Sequence, residues 1–126
     1  MSVHPRVFHA AAILFASLFI LAASIVSLHR FWQYEVFYYD FGIFDQAIWH
    51  VAHWEPPTID HFQLSGKLIF ADHMSPSIFL LAPIYWITSR PEALLLVQAI
   101  AVGLSGLVLY EIGASMQISP FLSLGV

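Results

Sequence analysis

Carboxylates and imidazoles gather in one stretch of this 126-residue chain: six of its eight acids, Glu35, Asp40, Asp45, Glu55, Asp60 and Asp72, fall between Phe31 and Ser77, with His50, His53, His61 and His73 among them. Asp40 stands in Tyr38-Tyr39-Asp40-Phe41-Gly42. A carboxylate partly desolvated by aromatic neighbours holds its proton to higher pH and can act as a general base. The ordinary role of an Asp just before a helix is to cap it. Asp45 lies five residues on, about 140° around a helix from Asp40, so the two share no face of a continuous helix. Its plain reading is a wet residue on a polar face. His50 and His53 are spaced as helix neighbours, and Asp72-His73 could approach them from the following loop. Imidazole and carboxylate suit divalent metals. The spacing shows no His-Glu-x-x-His pattern and no converging set of three or four ligands, so a divalent metal ion is a candidate cofactor without an assigned site.

The composition says where such chemistry would operate. Apolar residues make up 60% of the chain and charged residues 10%, against roughly 45–50% and about 25% in an ordinary soluble domain. Four Lys and Arg could not give a soluble domain a mixed-charge surface. With a net charge of −4 and no basic run, the chain has nothing to neutralise a phosphate backbone, which excludes nucleic acid as a partner. Without cysteine, disulfides and thiolate metal sites are excluded too.

Two long apolar runs are expected to cross a bilayer. The first, 7–28, has His9 as its sole ionisable group, and its length exceeds both the roughly 20 residues a span needs and the 7–15 typical of a signal-peptide core. The second, 92–114, opens with Pro91-Glu92, a proline suited to a first turn and an acid that complements the positive helix end. Ala99, Gly103 and Gly106 offer it a surface for close helix packing. The segment 31–76 reads as an extracytoplasmic loop. Its Phe37, Phe41, Phe44 and Ile48 recur in steps of four, three and four, which predicts an amphipathic helix over about 40–52 lying at the membrane surface. A shorter apolar segment, 77–88, contains Pro83 and is expected to be a short or re-entrant helix, with Ser75 as its cap and Pro76 in its first turn. Residues 115–126 look like the start of a further apolar segment, so the chain reads as the N-terminal part of a longer protein. Basic residues split evenly between the two sides, and orientation cannot be taken from charge.

Three blocks carry a resemblance: Tyr39-Asp40-Phe41-Gly42-Ile43-Phe44-Asp45-Gln46-Ala47-Ile48-Trp49-His50, then Asp72-His73-Met74-Ser75-Pro76, then Leu80-Leu81-Ala82-Pro83-Ile84-Tyr85 with Leu95-Leu96-Val97-Gln98-Ala99. They resemble a family of predicted multi-spanning prokaryotic membrane proteins defined as a domain of unknown function. That family is in turn distantly similar to the GT-C membrane glycosyltransferases. The resemblance implies an all-α, GT-C-like N-terminal portion in the prokaryotic inner membrane, built from two full transmembrane helices, one short or re-entrant helix and an interfacial helical loop. It implies a multi-pass protein whose further helices complete the site, and a sugar donor carried on polyprenyl phosphate. In the resembled enzymes a first-loop carboxylate assists attack of the acceptor on the sugar. Asp40 corresponds to it, with Asp45 and His73 as secondary catalytic candidates and Tyr39, Gln46, Lys67 and Asp72 as substrate-binding candidates. The sequence has Asp40-Phe41 where those transferases often carry two adjacent acids.

Two other classes of function compete. In a transporter or channel component, the acidic loop would be a vestibule and Gln98 and Glu111 would line a pathway; in a non-catalytic membrane subunit, the small-residue face would serve assembly.

Overall fold

A run of Leu, Ala, Phe and Ile with no interior proline or glycine favours a continuous helix, and α1 spans Pro5–Trp32. The computed structural model describes residues 5–35, 38–60, 66–116 and 118. After α1 come α2 (Tyr38–Ala52), β1 (Thr58–Ile59), β2 (Lys67–Leu68), a 3-10 turn (Ile69–Ala71), α3 (Ile78–Leu81), α4 (Ile84–Ile87) and α5 (Glu92–Ser115). The chain divides into two units, one of Met1–Ser27 with Leu96–Val126, the other of Leu28–Leu95.

In the first unit the bodies of α1 and α5 run antiparallel. His9 Nδ1 pairs with Glu111 Oε1 at 2.8 Å, and its ring lies 6.1 Å from that of Tyr110. Further along, Gly103 faces Ile20 and Ala16 so closely that a Cβ on Gly103 would run into the Ile20 side chain. Ala12, Ala16, Ala99 and Tyr110 are buried, while Leu14, Phe15, Leu18, Val108 and Leu109 point outward and are exposed. Both helices are long and apolar enough to cross a membrane. Small residues inside and large apolar ones outside is the pattern expected where the surrounding solvent is lipid, since hydrocarbon gives helices little reason to bury Leu and much reason to approach closely.

The second unit has its own core. Ile43, Ala47, Ile48 and Ala52 of α2 pack with Ile59, Ile69, Ile78, Ala82, Tyr85 and Leu94, and Phe41 and Phe44 are half-buried beside them. The buried face of α2 is therefore rotated from the expected stripe: Ile48 belongs to it, Phe41 and Phe44 flank it, and Phe37 lies outside the described residues. The reason is tertiary. Elements arriving from the loop cover the Ile43-Ala47 side, where a small alanine lets them approach. β1 and β2 pair antiparallel, Thr58 opposite Leu68 and Ile59 opposite Lys67, and this short ladder brings Ile59 and Ile69 onto α2. The apolar segment is broken at Ala82-Pro83 into α3 and α4, each of four residues, and both pack on α2. Trp86 Nε1 donates to the Ala52 carbonyl at 2.7 Å.

Helix ends differ from the expected caps. α2 begins at Tyr38, so Asp40 sits inside the first turn, where its charge still favours the helix dipole but where it is not the cap. Ser75 does not cap α3 with its side chain: Ser77 holds the cap position without a side-chain bond, and the Ser75 carbonyl accepts from Ile78 N at 3.3 Å. α1 and α2 both close by bonding a later amide back to the last turn, Glu35 N to Arg30 O and Glu55 N to His50 O, each at 2.9 Å. The left-handed residues these closures need are Tyr34 (φ 58°) and Trp54 (φ 62°), neither of them glycine.

Candidate functional site

Within the second unit, the end of α1, the start of α2 and the start of α5 enclose an open hollow of about 390 Å³. Phe31, Trp32, Tyr34 and Phe41 supply aromatic walls, Pro91 one edge, and Asp45 the one acidic group of its lining. Phe31 and Phe41 meet edge-on at 5.8 Å between ring centroids, which braces one wall. Trp32 Nε1 donates to Glu92 Oε1 at 3.5 Å, tying the last residue of α1 to the first of α5. Tyr34, on the rim, is 95% exposed.

Asp45 is half-buried, not on a wet face as its position in the sequence suggests. The buried Tyr85 of α4 donates its hydroxyl to Asp45 Oδ1. Burial raises the Asp45 pKa above the usual carboxylate value and the negative charge of Glu92 adds to the rise, while the Tyr85 bond works in the opposite direction. The phenol of Tyr85 is itself pushed well up, first by burial and then by its bond to the carboxylate, so it stays a donor.

The other candidates fall in several places. Asp40 is exposed on the first turn of α2. Tyr39 lies in α2, and its side chain is outside the described residues, as is all of His61. Gln46 Oε1 accepts from the Asp60 amide at 2.9 Å and so anchors the β1 end of the loop, and Asp60 Oδ1 accepts from Gly66 N at 3.1 Å. His73 pairs with its neighbour Asp72 at 3.1 Å and its ring lies 5.4 Å from that of Phe44. Lys67 is exposed on β2. His50 bonds Glu55 at 2.6 Å, and His53 stacks on Trp49 at 3.9 Å while bonding its carbonyl at 2.7 Å. The two histidines are thereby engaged with separate partners, and among the described residues no group of three or more His, Asp or Glu side chains is arranged to hold a metal ion. In the first unit, Gln98 is exposed and Glu111 is the partner of His9.

Sequence reasoning passed over Tyr85 and the Phe31-Trp32 end of α1. One signal for Tyr85 was available: a phenol in a ten-residue apolar run must find a partner for its hydroxyl when buried. Which partner, forty residues away, was not written in the spacing.

Two long apolar helices and an otherwise helical second unit define an all-α membrane protein. Residues 30–126 match the family model described as "Predicted membrane protein (DUF2079)", and the chain belongs to that family. No curated protein and no solved structure matches it.

Proposed function

We propose that this chain carries the proton-accepting side of a membrane glycosyltransferase of GT-C type, multi-pass and of the prokaryotic inner membrane, moving a sugar from a polyprenyl-phosphate donor to an acceptor hydroxyl. The observation that carries this reading is the hollow itself: four aromatic side chains around a half-buried carboxylate whose pKa is raised. Apolar walls with a few placed polar groups are the usual make-up of a small-molecule site. The C–H faces of a pyranose suit aromatic walls, and its hydroxyls suit a carboxylate. As the acceptor oxygen attacks the anomeric carbon it loses a proton, the sugar–phosphate bond breaks, and the lipid phosphate departs with the bonding electrons. A carboxylate with an elevated pKa is a better base for that proton than an ordinary one. Nearby Trp32, Tyr34 and Pro91 belong to the loop-proximal ends of α1 and α5, within reach of a donor whose headgroup lies at a membrane surface. The donor lipid and the acceptor class rest on the resemblance of the Tyr39–His50 and Asp72–Pro76 blocks.

Asp45 fits the base by environment, and Asp40 stands where the resemblance puts the first-loop acid. Lys67, exposed, and His73 when protonated are the cationic candidates for the leaving phosphate, Asp72 holds His73, and Tyr39 and Gln46 are the substrate-binding candidates along α2. The test uses the complete protein in its native membrane with a radiolabelled polyprenyl-phosphate sugar. Asp45→Asn is expected to lower turnover by 10²-fold or more, on the order of a lost general base, while expression and donor binding persist. A comparable loss in Asp40→Asn with Asp45→Asn active would transfer the base to Asp40. If both variants transfer sugar normally, the reading fails. Loss of function on Glu111→Gln with both aspartates tolerant would replace it by transport.

A further inference from the structure

The hollow explains Asp45 but not Tyr85, a tyrosine buried in the core of the second unit with its hydroxyl on that carboxylate. We propose that Tyr85 is the positioning residue of the site: it holds Asp45 by one carboxylate oxygen and leaves the other free for the occupant of the hollow. The assignment deepens the transferase reading and rests on it for its kinetic consequence alone.

Three observations converge on it. Tyr85 takes Oδ1 of Asp45, and Oδ2 has no partner among the described residues. Asp45 at the same time lines the hollow. One carboxylate therefore bridges an internal donor and an open, aromatic-walled space. The donor is itself immobilised: Tyr85 packs in the cluster with Ile48, Ile78 and Ala82, and the next residue, Trp86, bonds the Ala52 carbonyl at the far end of α2. An alternative use of the phenol, as an acid in its own right, is disfavoured by its burial and by the negative charge beside it.

The ionisable groups acting on Asp45 are Tyr85 from α4 and Glu92 from α5. On the remaining elements packed against α2, the Asp60 amide is taken by Gln46, His73 pairs with Asp72, and Lys67 is exposed on β2. Glu92 discourages ionisation of Asp45 and Tyr85 favours it. Without the phenol, the carboxylate keeps its burial and its acidic neighbour but loses the hydrogen bond that steadies its charged form, and so must titrate at higher pH.

The experiment compares Tyr85→Phe, which keeps the ring in the core, with wild type and Asp45→Asn in the full-length protein reconstituted in lipid. Isotope-edited infrared spectroscopy follows the carboxyl band that Asp45→Asn removes. An upward shift of its titration midpoint in Tyr85→Phe is expected, and an unchanged or lowered midpoint overturns the assignment. In the sugar-transfer assay the same variant is expected to lower kcat and to move the acidic limb of its pH profile upward by the same amount, with KM for the donor unchanged. A uniform loss at all pH values, with no shift of the limb, marks a merely structural tyrosine and also overturns it. A protein that transfers no sugar at all brings down the transferase reading, and the infrared midpoint then decides the role of Tyr85 by itself.

Discussion

Asp45 and Tyr34 illustrate how far a single residue's meaning depends on what surrounds it. Asp45 falls off the expected apolar stripe and would be placed in water by that criterion alone, yet half-burial raises its pKa above the usual carboxylate value. The folded state then holds its proton more tightly than the unfolded chain does. Between the unfolded value, about 3.9, and the raised folded one, the folded protein binds more protons, so stability falls as pH rises through that window. Asp45→Asn is expected to flatten this slope, as read by chemical or thermal unfolding in detergent between acid and neutral pH. Tyr34 keeps a left-handed backbone (φ 58°) although 95% exposed, a conformation that costs a side-chain-bearing residue about 1 kcal/mol and that glycine adopts freely. Non-glycine strain of this kind is tolerated where a side chain is wanted. Tyr34→Gly should therefore stabilise the protein by up to about 1 kcal/mol in a thermal scan.

At the level of elements, a helix spans Tyr38–Ala52 where an amphipathic one is expected over about 40–52, but its buried face is not the one its aromatic spacing suggests. Period alone identifies a helix with an apolar side; it does not say which elements will cover that side. In α2 the covering is done by β1, the 3-10 turn, α3 and α4, which bury Ile43, Ala47 and Ile48. The short segment with Pro83 was legible as interrupted, because proline cannot extend the helix before it without loss of a backbone bond. The two long helices meet through small residues, and there Gly103 is critical. Gly103→Val is expected to force the Ile20 side chain and the α1–α5 pair apart, costing about 1–3 kcal/mol, as overpacking of a close contact does, and to lower the unfolding temperature in detergent.

For the molecule as a whole, the antiparallel run of α1 and α5 bears on topology. If the segment 77–88 crossed the bilayer between them, the two long helices would have to point the same way through it. His9 beside Glu111 and Ile20 beside Gly103 have the bodies of the two helices pointing oppositely. These 126 residues contain no cysteine, so a single cysteine introduced among them is their one maleimide target. Ser77→Cys and Ser89→Cys should react with an impermeant maleimide from one and the same side of intact cells, and Ser115→Cys from the other. Reaction of the first two from opposite sides would mean that the short segment crosses.

Membrane class and the two long helices follow from composition and length, because about 20 apolar residues in a row have few stable alternatives outside lipid. The acidic, aromatic loop was equally plain, and so was the attention due to Asp40 and Asp45. What the linear order could not convey is which acid is desolvated. That depends on a ladder of two residues per strand, on an alanine that admits α3 and α4 to the flank of α2, and on a tyrosine forty positions away whose hydroxyl needs a partner. Burial and pairing over such separations are properties of packing, and only the folded chain turns a carboxylate that periodicity places in water into the one beneath the aromatic walls.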